Sequence, residues 1–517
     1  MTRGPLETVP TAEPKDRYSE VLGKIPPELI SAFFQACVAM CAPETATSCT
    51  IQLSAVCTTW RDIARSIPQL WTTVSIHAHI IRFTGESHFA VKEWISRSKA
   101  LSIDLYISSA SRGRHLLPTD VKNFRQLLSV LGESSNRWRS VSFDVHTSFI
   151  RQLCSIAHGL SQIRSMRYSN RCWESIRTRT FTVTSQIGSL KWKEESSPQK
   201  LEIDFALFAS LAEVLNIRTD NLIHLDIREM SVKQCLDVIR LSPMLLIFKT
   251  RISGIEDTVP SSSSPIVHSV LDSFTIESSW RDDGLDQVLS SLILPRLRTL
   301  GLLLMTSTDS LIIEDFLRRS SAPITSMKLC YERKGDELDL AGFKAIAVLT
   351  PLLNHLCILF DSWAWDGDGE LQANLLKYLV DSGKPKNDDP SYSPPLPQLK
   401  NLTYISGMDN FVERGSWISW SLVPGLFPIS TPASAVASLR PMKAFITREE
   451  VRPQEKYLRQ LIPLRRAGID FGPERNNDID CMKMNASLRP LQDTDREVVN
   501  SWRQGRKTSR SIKSFAI

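Results

Sequence analysis

The chain has 517 residues, with 62 Lys and Arg against 56 Asp and Glu and a formal net charge of +6. Hydrophobic residues make up 42% and charged residues 23%, which excludes wholesale disorder, and 21 glycines are too few for a collagen-like or glycine-linker protein. The last 22 residues hold six bases (Arg496, Arg503, Arg506, Lys507, Arg510, Lys513) and one acid, Glu497. The body is therefore close to neutral and lacks the overall excess that nucleic-acid or anionic-membrane binding requires.

Ten cysteines in this length are far fewer than a secreted disulfide scaffold carries. The first residues show no apolar core of a secretory signal. The most apolar stretch, Leu289 to Met305, is broken by Pro295, Arg296 and Arg298, short of the ~18 uninterrupted apolar residues of a membrane span. These features read as a soluble intracellular protein, cytoplasmic or nuclear, with reduced thiols and no membrane partner.

Residues 1–20 are polar, with Pro5, Pro10 and Pro14, and read as a flexible lead. A helix is expected after Pro26 and Pro27, because proline is tolerated in a first helical turn. Leu29, Ile30, Phe33, Phe34 and Cys37 line one of its faces. Ala42 to Thr50 reads as a small-residue loop. A second helix is expected from Ile51 to Ile67, with Leu53, Val56, Cys57, Trp60, Ile63, Ala64 and Ile67 as its stripe and Pro68 as its stop. Patterning then turns strand-like from Leu70 to Ile76. A block this short has a marginal core and should pack against something else.

Three segments of this block resemble an F-box: Ile25-Pro-Pro-Glu-Leu-Ile30, Val56-Cys-Thr-Thr-Trp-Arg-Asp-Ile-Ala64 and Pro68-Gln-Leu-Trp71. Ile25 stands where the opening motif usually has Leu. The order and spacing of the segments are similar to those in the large group of fungal F-box proteins. The resemblance covers about a tenth of the chain.

Beyond the block, the pattern apolar-x-x-apolar-x-apolar recurs. It fits Trp138/Val141/Phe143, Ile163/Met166/Tyr168, Ile187/Leu190/Trp192, Leu222/Leu225/Ile227 and Leu271/Phe274/Ile276. It fits again at Leu297/Leu300/Leu302, Ile324/Met327/Leu329, Leu353/Leu356/Ile358 and Leu399/Leu402/Tyr404. Central positions lie 24 to 29 residues apart, except for gaps of 35, 49 and 46. A degenerate copy, Met244-Leu-Leu-Ile247-Phe248, divides the gap of 49, and a Pro- and Asp-rich insertion near 381–396 fills the gap of 46. Segments 231–240 and 310–319 read as amphipathic helices between matches. Pro243, Pro295, Pro323, Pro351 and Pro397 precede five of the expected strands. The spacing falls in or near the range of leucine-rich repeats, each a strand plus a return helix.

The expected fold class is therefore α/β: an N-terminal helical F-box (21–75) followed by an irregular leucine-rich-repeat-like solenoid (76–480). A basic flexible tail (481–517) completes the chain.

Catalytic signatures are missing: there is no dinucleotide fingerprint, phosphate loop, zinc-protease helix or nucleophile elbow. Asp366-Gly-Asp-Gly-Glu370 lacks the ligand spacing of a calcium loop. Cys37, Cys41, Cys49 and Cys57 lack the tight paired knuckles of a zinc site. No metal, cofactor or catalytic residue is expected. Residues between the core positions of each strand should face outward, which nominates Asp226, Arg228, Thr275, Glu277 and Lys328 as substrate contacts. Trp363 and Trp365, just after a strand, are further candidates, since exposed aromatics anchor partners.

The resemblance implies that the F-box binds a Skp-type adaptor, and through it cullin and RING subunits, while the repeats hold an unknown protein substrate. Carried over as adaptor-binding are Ile25, Pro26, Pro27, Leu29, Ile30, Phe33, Val56, Cys57, Trp60, Ile63, Leu70 and Trp71. Some of these must be core, and the sequence does not divide them. Such a protein is a non-enzymatic substrate receptor, and nucleic acid is not an expected partner. The alternative is a leucine-rich-repeat interaction scaffold outside ubiquitination, with a degenerate F-box.

Overall fold

A computed structural model describes residues 25–77, 87–108, 118–145, 147–169, 192–193, 195–206, 210–252, 264–278, 284–304, 310–331, 340–360, 370–384, 392–406, 420–428, 438–448 and 455–474. The expected lead, the Trp363–Trp365 turn and the basic tail lie outside these residues. The chain divides into two compact units, Met1–Pro198 with Leu211–Arg218, and Gln199–Ser210 with Thr219–Ile517. The helical block belongs to the first unit together with the first strands.

The block starts with α1 (Pro27–Met40), where extended Pro26 delivers Pro27 to the first helical position. The same device repeats at once: extended Ala42 and Pro43 start α2 (Pro43–Ala55), with Glu44 favouring the positive end of the helix. The expected loop at Ala42–Thr50 is thus helical, because small residues following an N1 proline do not oppose a helix.

The single helix expected over 51–67 is broken. Cys57 is extended, and its Sγ accepts the Trp60 N–H at 3.4 Å, capping a separate α3 (Thr58–Ser66). A single 3-10 turn at Pro68–Trp71 leads into β1 (Thr73–His77).

From there, strands and helices alternate: α4 (Ser87–Arg97), β2 (Ile103–Ser108), α5 (Pro118–Glu133), β3 (Trp138–Asp144), α6 (Thr147–Ile156) and β4 (Ser165–Ser169). β1 to β4 pair in chain order, all parallel, with Val74, Leu105, Val141 and Met166 in one row across the sheet. These side chains and the next inward row, Ile76, Ile107, Phe143 and Tyr168, are buried. Each contributes about 1.5–3 kcal/mol by leaving water. Trp192 joins this core by donating its indole N–H to the Tyr168 hydroxyl at 2.7 Å.

The outer edge of β1 is covered by α2 rather than by a strand. The Thr47 hydroxyl donates to the Thr73 carbonyl (3.2 Å) and accepts the Ser75 N–H (2.8 Å), standing in for a neighbouring strand. Ser75 Oγ donates to the Pro43 carbonyl at 2.7 Å. Such pairing satisfies backbone groups that an edge leaves open. The first unit also holds the short α7 (Leu211–Leu215).

The second unit contains β5 (Lys200–Ala206), β6 (His224–Met230), α8 (Val232–Leu241), β7 (Ile247–Ile252), β8 (Ile266–Val267) and β9 (Ser273–Ser278). It continues through α9 (Gly284–Ser290), β10 (Leu292–Ile293), β11 (Thr299–Leu304), α10 (Ser310–Ser320), β12 (Ser326–Tyr331), α11 (Leu340–Leu349), β13 (His355–Phe360) and α12 (Glu370–Gly383). β14 (Asn401–Ser406), β15 (Ala444–Arg448), α13 (Glu455–Arg466) and β16 (Asp470–Glu474) complete it. Leaving aside β8 and β10, which pair with each other, its ten strands form a parallel sheet in chain order. One register row runs Leu201, Leu225, Phe248, Phe274, Leu300, Met327, Leu356, Leu402, Phe445 and Phe471. Every central residue of the sequence pattern described in this unit stands in that row. The degenerate copy is β7, with Phe248 rather than Ile247 in the row; Phe248 is buried and Ile247 exposed.

The two expected helices match α8 and α10. Ser231 and Gln234 form a reciprocal capping box at the start of α8, with side chain–backbone bonds of 3.3 and 2.9 Å. The expected insertion at 381–396 is smaller than the sequence suggests, since α12 runs through Gly383 and Pro394 and Leu396 are buried. Arg440 explains why. Its guanidinium, itself buried, donates to the Leu379 carbonyl, to the Pro395 carbonyl (2.9 and 3.0 Å) and to Ser382 Oγ (2.7 Å). This fork ties the last turn of α12 to the returning segment, and burial lowers the Arg440 pKa to about 10. No described helix is long and apolar enough to cross a membrane.

Candidate functional site

The wide apolar stripe of α1 is split by packing. Ile30 (5% exposed) and Phe34 (0%) turn inward, whereas Leu29 (62%) and Phe33 (52%) stay in water one turn apart. Trp60 on α3 supports the boundary between them: its ring lies edge-on to Phe34 at 4.9 Å and to Phe33 at 6.3 Å. Its buried indole N–H has no hydrogen-bond partner among the described residues. Because α1, α2 and α3 pack on one another, α1 cannot turn its outer face inward.

The twelve residues carried over from the F-box resemblance therefore fall into three groups. Ile25, Pro26, Pro27, Leu29, Phe33 and Val56 are exposed, and Cys57, Trp60 and Ile63 are half-buried. Ile30, Leu70 and Trp71 are buried and hold the block together. Trp71 is the clearest case. Its indole N–H donates to the Ala64 carbonyl at 2.8 Å, its ring meets Trp94 edge-on at 4.5 Å, and the Arg97 guanidinium lies over it. It joins the block to α4 and the sheet. Two exposed apolar residues were missed, Met40 on α1 and Ile51 on α2. Met40 follows Leu29, Phe33 and Ala36 at helical spacing, a signal present in the sequence but hidden by the broader stripe.

A second surface is the outward side of the strands in the second unit. Register places Glu202, Asp226, Lys249, Thr275, Gly301, Lys328 and Cys357 in one row. Of the predicted substrate contacts, Asp226, Thr275 and Lys328 share this row; Glu277 lies in the next row, opposite Arg251. The charges neutralise one another across neighbouring strands: Lys249 with Asp226 (3.3 Å), Arg251 with Glu277 (2.8 Å) and Arg228 with Asp204 (3.5 Å). Partial burial raises the Asp226 pKa, and the Lys249 charge opposes that rise. A face paired in this way offers no concentrated potential for a phosphate backbone. Its exposed pairs add little stability, about 0–1 kcal/mol each. Lys249, Arg251 and Glu202 were not singled out from the sequence because cross-strand partners become visible only with the register. Trp363 and Trp365 lie outside the described residues.

Among the described residues no group of three or more His, Cys, Asp or Glu is arranged to hold a metal ion. No protein-family model matches the chain, and no curated protein matches it.

Proposed function

We propose that the chain is a substrate-recognition subunit of a Skp–cullin–F-box E3 ubiquitin ligase. In this reading α1 to α3 are the F-box and dock the Skp adaptor, while an irregular leucine-rich-repeat-like solenoid beyond them holds a protein substrate. The observation that carries the reading is the split of the helical block. Within it Ile30, Leu70 and Trp71 are buried, whereas Leu29, Phe33 and Val56 stay in water, the arrangement expected of a small module with a partner on its second side. The succession of parallel strand and helix, one register step per 23 to 46 residues from Leu225 to Phe445, supports the repeat reading. The protein would catalyse nothing itself; it would hold a substrate lysine near the charged ubiquitin carrier and make transfer effectively intramolecular.

The test is co-purification of the full chain with a Skp-type adaptor, repeated after Pro26→Ala and Leu29→Ala together. A complex that depends on these residues is the expected outcome. A folded chain that forms no complex refutes the ligase reading and favours the scaffold reading. A complex indifferent to the double change refutes the assigned face.

A further inference from the structure

The outward side of the strands in the second unit changes character between β9 and β11. In β5, β6, β7 and β9 it is charged, and its bases are matched: Lys200 with Glu202 (2.7 Å), Arg228 with Asp204 (3.5 Å), Lys249 with Asp226 (3.3 Å) and Arg251 with Glu277 (2.8 Å). β11 to β14 contain no Asp, Glu or Arg, and Lys328 is their one lysine.

Lys328 stands in the middle of this uncharged stretch. Its chain neighbours Met327 and Leu329 are buried in the core, so strand alternation turns Lys328 to the outward side, where it is half-buried. Register sets it between Gly301 of β11 and Cys357 of β13, with Thr275 and Thr403 beyond them. Among the described residues it has no ion-pair or hydrogen-bond partner. The closest carboxylate on the described strands, Glu277, is two strands away, about 10 Å across the sheet, and is held by Arg251. Gly301 keeps one flank of the lysine low. A Cβ there would meet the Thr275 side chain at 2.8 Å, so glycine is what lets another chain approach this backbone closely.

We propose that β11 to β14 bind an extended segment of the substrate in which one acidic residue, flanked by small or apolar ones, pairs with Lys328. The proposal rests on the reading that the strand face holds a protein substrate, and not on adaptor docking. Complementarity sets the sign, since this lysine lacks the counter-charge that Lys249 and Arg251 find within the sheet. Number sets the group. A carboxylate carries one charge and matches one lysine. A phosphate carries about −1.5 to −2 and is met by arginine clusters, which these four strands do not contain. Half-buried Cys330 and Leu359, register partners in the row beyond Lys328 and Cys357, supply apolar contact beside the charge.

The test is a phage-displayed library of random peptides selected on the immobilised full chain. Enriched peptides should share one Asp or Glu among apolar residues. Synthetic copies should bind Lys328→Ala and Lys328→Gln about tenfold more weakly than the unaltered chain, with melting temperatures unchanged. Selection on Lys328→Glu should exchange the shared acid for Lys or Arg, a reversal that a merely structural role of Lys328 would not produce. Absence of a shared acid, equal binding by Lys328→Ala and Lys328→Gln, or tighter binding when phosphoserine replaces the acid would overturn the proposal. A chain that passes this test yet forms no complex with a Skp-type adaptor would lose the ligase reading and keep this one.

Discussion

Four apolar side chains on α1 can be set against one another, because Ile30 and Phe34 belong to the fold and Leu29 and Phe33 to water. Phe34 is fully buried against Trp60, so Phe34→Ala removes a packed ring and should cost about 3–5 kcal/mol of stability. Phe33 has about half of its surface still exposed and Leu29 nearly two thirds. Full burial of such side chains contributes about 1.5–3 kcal/mol each, so roughly 2–3.5 kcal/mol of the pair's burial is still available for a partner. At about 1.4 kcal/mol per tenfold in affinity, the proposed adaptor docking should weaken roughly 30- to 300-fold on Leu29→Ala with Phe33→Ala. The same double change should lower folding stability by only about 1–2.5 kcal/mol, since less than half of the pair's surface leaves water on folding. Titration calorimetry against a purified Skp-type adaptor reads the first quantity and thermal denaturation the second. Equal loss of melting temperature in the double variant and in Phe34→Ala would refute the division of α1 into a fold face and a docking face.

Arg440→Ala should strand the Leu379 and Pro395 carbonyls at about 1–3 kcal/mol each, and urea denaturation should show at least part of that loss. Arg440→Lys keeps the charge but not the fork, so full recovery by lysine would show that charge rather than bridging geometry matters. At the start of α8, Ser231→Ala should cost about 1 kcal/mol and speed hydrogen exchange in the first turn; unchanged exchange would mean the capping box is idle. Partial burial, and then the Lys400 charge, hold the His355 pKa below 6.5. The folded chain thus binds fewer protons at this site than the unfolded chain, and acidification through and below that value favours unfolding. By imidazole NMR titration Lys400→Gln should move His355 part of the way up, because burial remains; a downward move would contradict the assignment of causes.

The strands were legible where three apolar slots survive together, because Val141, Phe274 or Leu300 each pair with an apolar residue three before and two after. Three of the missed strands lack at least one slot. Ser102 precedes Leu105 in β2, Thr447 follows Phe445 in β15, and Gly468 precedes and Pro473 follows Phe471 in β16. Register recovers them because backbone pairing with a neighbour does not require every side chain to be apolar. The break between α2 and α3 was hidden for a different reason. A thiol is not among the usual capping groups, so Cys57 read as one more member of an apolar stripe. The exposed half of α1 could not be read at all: a stripe holding Leu29, Ile30, Phe33 and Phe34 is wider than one contact, and only packing decides which edge is covered.

Thr47 has a bearing on how the protein can be shortened. A chain begun at residue 76, the boundary that motif spacing suggests, would lose most of β1 as well as the helix that covers it. The newly bared strand, β2, would then offer its open backbone to another copy. Dissecting the strand-rich region from its helical front therefore yields a sticky fragment rather than a free-standing receptor. The helical front keeps the first strands from pairing with copies of themselves, whatever else it binds.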